Sequence, residues 1–168
     1  CNLSKDQRQL LSIYKIGSSV ENTPMLAINL GIGSKKILIN ATHHAREMIN
    51  TILLLDQIQY ILNLYKKNSS VDNINIRELL HKVTLVFVPL VNPDGADLVL
   101  NGKYFLSNQY KNMFYLQRNS FESWKSNIRG VDLNRNYPTK HPSNDTVNYP
   151  GPKGYTGPWY FSEPETCA

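Results

Sequence analysis

Cysteine is almost missing from this 168-residue chain: the two present, Cys1 and Cys167, stand at its extreme ends. A fold stapled by a disulfide framework is thereby excluded. No apolar run approaches the roughly 18 residues that a membrane-spanning helix needs. The first residues lack the basic-then-apolar order of a signal peptide. Blocks of like charge are missing as well. The 18 basic and 13 acidic residues leave a formal charge of +5, spread along the chain, which points only weakly to a polyanionic partner. There is no internal repeat and no low-complexity tract. What is present is core-forming material, 41% hydrophobic with 10% aromatic residues, which argues against disorder. The length suits one domain, at about 150 residues per domain.

The pattern along the chain alternates strand and helix. Met25 to Leu30 and Lys36 to Ala41 have the composition of strands, and the Gly31-Ile32-Gly33-Ser34 connection predicts that they pair antiparallel. From about Arg46 to Lys67 the sequence has helical length. Met48, Ile52, Leu55 and Leu62 fall on one stripe, and Leu54, Ile58, Ile61 and Tyr65 on another. A helix apolar over so much of its circumference expects cover on more than one side. Asp72 to His81 is a candidate short helix, with His81 as a cation near its end. Val83 to Val91 is a continuous apolar run, expected to be a strand buried on both faces. This order predicts an α/β fold with a mixed sheet. Six of the nine prolines and three of the nine glycines lie after Asn136, so that stretch is expected to be a long loop. Near its end, Ser162-Glu163-Pro164-Glu165 has the form of a capping box, the start signal of a helix that the following three residues barely begin.

Three short stretches carry the chemistry. In His43-His44-Ala45-Arg46-Glu47, His44 and Glu47 stand three apart where a strand gives way to a helix. One turn can aim both at a single point, and an imidazole with a carboxylate is a proper zinc-ligand pair. The same residues serve equally as a hydrogen-bonded core histidine and a first-turn helix charge. Asn92-Pro93-Asp94-Gly95 follows the buried strand, and its residues are simply good turn formers. In Gly130-Val131-Asp132-Leu133-Asn134-Arg135-Asn136, Asp132 could accept from the second nitrogen of a zinc-bound histidine. Asn134 and Arg135 offer a fork of donors for a carboxylate. Alone, this stretch is also readable as a polar turn.

Taken in order with Ser162-Glu163-Pro164-Glu165-Thr166, these motifs resemble the zinc carboxypeptidase A family, and Ile16-Gly17-Ser18-Ser19-Val20-Glu21 resembles the segment that leads into its first strand. The resemblance spans nearly the whole chain but only about the first half of the family's catalytic domain. It implies a mixed, mostly parallel sheet flanked by helices, the phosphorylase/hydrolase-like fold of zinc carboxypeptidases, here incomplete. It implies Zn2+ as cofactor, with His44 and Glu47 as its first two ligands and Asp132 as the partner of His44. Arg46 would add positive potential to the cleft, and Asn134 and Arg135 would bind a substrate carboxylate. The family places an arginine after a tryptophan to stabilise the oxyanion; the matching pair here is Trp124-Lys125. Lysine keeps the charge without the bidentate geometry, and Arg129 is the nearby alternative.

The same resemblance puts the third zinc ligand, a histidine, and the glutamate general base beyond the position matching Ala168. His141 lies in the proline-rich loop without the context of a ligand. A site with two of three ligands is expected to bind metal weakly and to turn over little unless another chain completes it. Ser123 to Gly130, with Leu90 to Val99 before it, is most similar to bacterial enzymes that cleave γ-D-glutamyl-diaminopimelate bonds in cell-wall peptides. The expected partner is therefore a peptide with a free carboxylate. Two other classes compete. One is a non-catalytic remnant that keeps the carboxylate-binding face. The other is a deacylase of N-acyl amino acids, which shares the histidine–glutamate spacing but not the Ser162–Glu165 stretch. Truncation would also leave apolar surface uncovered, with self-association as the expected outcome.

Overall fold

The computed structural model describes residues 5–113, 116, 120–139 and 144–168. Cys1 and His141 lie outside the described residues. In chain order the elements are α1 (Lys5–Leu10), β1 (Leu11–Ser18), β2 (Pro24–Leu30), β3 (Lys35–Asn40), α2 (Ile49–Lys66), β4 (Ser70–Val71), β5 (Ile74–Asn75), α3 (Ile76–Lys82), β6 (Val83–Val88), α4 (Pro93–Asn101), α5 (Asn108–Lys111) and α6 (Pro164–Cys167). Strands β1, β2, β6 and β3 form one mixed sheet in that spatial order, and β4 pairs with β5 in a separate small hairpin. The fold is α/β, with α2 and α3 over one face of the sheet.

The expected hairpin between β2 and β3 is not there. Strand β6 lies between them, antiparallel to β2 through Ile28–Phe87 and parallel to β3 from Lys35–Val83 to Asn40–Val88. Strand β6 is apolar except for Thr84, and its central position pairs both of its edges; rather than being buried on both faces, it sets Leu85 and Phe87 under the helices and Val86 on the open side. Glycine chemistry then serves the crossing of Gly31 and Gly33 over the start of β6. A Cβ on Gly33 would lie 2.0 Å from the Lys82 and Val83 backbone, and Gly31 has φ +117°. Strand β1, absent from the sequence expectations, adds to the outer edge of β2.

On the helical face, Leu54, Ile58, Leu62 and Tyr65 of α2 pack with Leu80 of α3, Leu30 and Phe87. The stripe of Leu54, Ile58 and Tyr65 is inside together with Leu62 of the other predicted stripe, whereas Ile52 is 56% and Leu55 46% exposed. Helix α3 starts at Ile76, later than expected, because Asn75 caps it, its Oδ1 accepting from the Arg77 and Glu78 amides. The opposite face of the sheet holds a smaller cluster of Met25, Ala27, Val88, Val91 and Leu133. A third cluster joins α4 to the segment around Trp124, which is buried with Leu98, Phe121 and Ile128.

The capping box at the last helix does not form. The cap residue is Glu163, without a side-chain capping bond. Ser162 Oγ is engaged elsewhere, accepting from Asn136 Nδ2 at 3.0 Å and donating to Glu163 Oε1 at 2.9 Å. Asn92-Pro93-Asp94-Gly95 is likewise not a free turn but the opening of α4, with Pro93 at its first position and Asn92 Oδ1 accepting from Gly95 N–H.

Candidate functional site

Parallel neighbours β3 and β6 end side by side, and the loops leaving their carboxyl ends build the site, the usual place for one in an open α/β sheet. The loop after β3 is held from several directions. Thr42 takes a left-handed φ of 53°. Its hydroxyl lies 2.7 Å from that of Thr51, which donates to Pro89 O at 2.6 Å. Asn92, fully buried, donates from Nδ2 to His43 O at 3.0 Å and to Ser126 O at 3.1 Å. The loop therefore presents His44 and Glu47 from a braced backbone.

His44 Nδ1 lies 3.1 Å from Glu47 Oε1. On the other side of the ring, Nε2 faces Asp132 Oδ1 at 3.3 Å. That approach is close but poorly angled, and both atoms are buried without another hydrogen-bond partner among the described residues. Asp132 is fixed by its Oδ2, which accepts from Gly154 N–H at 2.9 Å. The facing Asp132 carboxylate, against the opposing pull of burial, raises the pKa of His44 above its ordinary value. Burial works to raise Asp132, but the His44 ring and the Gly154 amide outweigh it and hold that carboxyl below its ordinary value. Such a partner favours the tautomer with its proton on Nε2, leaving the Nδ1 lone pair free to bind a metal.

This arrangement fits a zinc ion. Two ligands at about 2.0–2.2 Å in a tetrahedral set stand about 3.3–3.6 Å apart, a little beyond the 3.1 Å seen. The buried His44 Nε2 and Asp132 Oδ1 behind the ring, without other partners among the described residues, are compatible with a carboxylate backing a metal-bound histidine. Among the described residues no group of three histidine, cysteine or acidic side chains gathers at one point.

The remaining predicted residues fall into separate places. A cleft of about 330 Å³ beside the pair is lined by His43, His44, Glu47 and Asn134. Arg135 lies close enough to Asp132 to help lower its pKa, and its Nε is buried without a partner among the described residues. Lys125 Nζ is 3.7 Å from Glu47 Oε1. Arg129 points elsewhere, its Nη1 3.6 Å from Glu163 Oε2. Arg46 is exposed and lines a different cleft with Lys125. Sequence reading passed over Asn92 as a clamp and His43, whose Nε2 lies 3.2 Å from the Tyr137 hydroxyl. Asn92 directly follows a buried strand and precedes proline, a signal that could have marked it as a cap.

Comparison with known proteins follows the same line. The family model for zinc carboxypeptidase matches residues 2–168. A γ-D-glutamyl-L-diamino acid endopeptidase of Lysinibacillus sphaericus is 35% identical over 157 residues, covering 91% of this chain and 40% of the relative. Thrombin activatable fibrinolysis inhibitor superposes with a TM-score of 0.72 at 22% identity, over 97% of this chain and 38% of that one. Carboxypeptidase A of Helicoverpa armigera gives 0.66 at 18% identity, over 97% and 37%. These two show the fold. The chain spans about 40% of the length of the bacterial relative.

Proposed function

Because the chain belongs to the zinc carboxypeptidase family, we propose that it carries the metal-binding part of a zinc-dependent peptidase that cleaves bonds near a free carboxylate. The observation that carries this reading is the placement of His44 Nδ1 against Glu47 while Nε2 faces Asp132. His44 and Glu47 would hold Zn2+, which when bound supplies Lewis acidity toward a carbonyl oxygen. Asp132 keeps the proton on Nε2 and the ring in place. Asn134 and Arg135 would grip the substrate carboxylate on one side of the scissile bond. Lys125, already beside Glu47, is the cation placed to face developing negative charge; Arg129 is committed to Glu163.

The substrate assigned is a peptide with a γ-D-glutamyl bond to a diamino acid such as diaminopimelate. Its support is the bacterial relative of that activity. We further assign the chain to the N-terminal part of a single catalytic domain, whose third ligand and general base come from sequence outside it. The share of the relative covered and the exposed apolar face of the sheet support this. A second reading, a peptide-binding module without turnover, draws on the two-ligand site.

Calorimetric zinc titration of the chain tests the first point. One zinc per chain is expected, lost in His44→Ala and weakened about 10–100-fold in Asp132→Asn. Zinc uptake indifferent to His44→Ala would overturn it. Mass mapping of γ-D-glutamyl peptides incubated with the chain joined to the sequence that supplies the third ligand and base separates the two readings: cleavage there supports the peptidase, and binding without cleavage favours the module.

A further inference from the structure

Three segments distant in sequence meet at a second cleft, separate from the one that Asn134 lines and linked to it through Glu47. Main-chain hydrogen bonds stitch them together. Ala45 N–H donates to Lys125 O at 3.0 Å, Arg46 N–H to Trp124 O at 3.1 Å, and Lys125 N–H to Pro152 O at 2.9 Å. The cleft, about 360 Å³, is lined by Arg46, Ser123, Lys125, Pro152 and Lys153. Three of these five are cations, and no acidic residue lines it. Lys125 has Glu47 as a distant partner at 3.7 Å, whereas Arg46 and Lys153 make no ion pair among the described residues. Like charges gathered on a fixed backbone repel one another, and a bound anion recovers that cost.

We propose that this cleft is a second carboxylate subsite, which takes the free α-carboxylate of a γ-linked glutamyl residue on the acyl side of the scissile bond. The proposal rests on the peptidase reading above and adds Lys153 as a specificity residue. A γ-linked glutamate is joined through its side-chain carboxyl, so its α-carboxylate remains free a few bonds from the scissile carbonyl. With Asn134 and Arg135 holding the carboxylate of the leaving side, the cation cleft, joined to the Glu47 carboxylate through Lys125 at 3.7 Å, receives the acyl side. Arginine can bond such a group through two donors, and Lys153 adds a point charge. An α-linked glutamate carries a carboxylate at similar reach, so peptides of both linkages belong in the test.

The test is calorimetric binding at low salt, with and without zinc, of an L-alanyl-γ-D-glutamyl-diamino acid peptide, its α-carboxamide analogue and its α-linked isomer. Amidation is expected to weaken binding about tenfold, a loss typical of a charged contact forfeited. In Lys153→Gln that penalty shrinks to roughly threefold, and in Lys153→Glu the amide becomes the preferred ligand. Lys153 is exposed, so neither change disturbs the fold. Equal affinity for acid and amide, or a penalty unchanged in Lys153→Glu, overturns the subsite. Tighter binding of the α-linked isomer overturns its γ-linked assignment. Failure to bind all three peptides strikes instead at the peptidase reading itself.

Discussion

A carboxylate only 2% exposed has little water to keep it charged, and Glu165 is such a group. Burial pushes its pKa from 4.5 up to about 7, although it accepts from Val20 N–H and Asn127 Nδ2. Between those two values the folded chain holds a proton that the unfolded chain releases. The stability this contributes is full below about pH 4.5 and is lost as pH rises through about 7. Its upper bound is about 3 kcal/mol. Thermal unfolding should therefore show the melting temperature falling from about pH 5 to about pH 8, with a visibly flatter profile in Glu165→Gln. His44, also raised, adds to the slope in both proteins, so the difference between them isolates Glu165. Identical profiles would contradict the argument. At this scale legibility followed distance along the chain. His44 and Glu47 were brought together by a spacing of three residues, which one turn of backbone decides. Glu165 was read as the glutamate of a capping box, whereas its carboxylate accepts from Val20 N–H, 145 positions away.

Elements were legible where one segment's own pattern decided them, and misread where a distant segment did. Strands β2, β3 and β6 follow from their apolar composition, and so does the length of α2. The pairing of β2 with β3 was inferred from a glycine-rich turn, but β6 takes the place between them, pairing with β2 along one edge and with β3 along the other. Asn92 is the counterpart among helix starts. Local chemistry marks it as a turn residue, whereas its Nδ2 ties the His43 carbonyl to the Ser126 carbonyl and its Oδ1 caps α4. Truncation in Asn92→Ala would leave buried carbonyls and an amide unpaired, at a cost of about 2–4 kcal/mol. Urea denaturation should show that loss as a lower midpoint at unchanged slope. Zinc affinity should fall too, since the loop before Glu47 loses its clamp. A variant with normal stability would mean that water replaces the amide group fully.

Across the whole molecule, the two faces of the sheet are unequal. One is closed by α2 and α3 around Leu30, Leu54, Leu80 and Phe87. The other leaves an open groove of about 250 Å³ walled by Tyr14, Ile16, Leu38 and Val86. Leu38 is 63% exposed on the edge strand β3, and Ile49, Ile52 and Leu53 at the start of α2 are exposed as well. Apolar burial contributes about 25 cal/mol per Å², so a few such side chains meeting their counterparts on a second copy supply several kcal/mol. An edge strand with unpaired backbone groups beside them adds a template for pairing. The chain is therefore expected to self-associate at tens of micromolar, with sedimentation velocity showing species larger than 19.2 kDa. Leu38→Lys should shift the distribution toward monomer without lowering the melting temperature, because the side chain it replaces is already mostly in water. Ile52→Lys, on the opposite side of the sheet, separates the two surfaces: whichever substitution disperses the oligomer marks the face that sticks. A chain that stays monomeric throughout that range would show that neither face is adhesive.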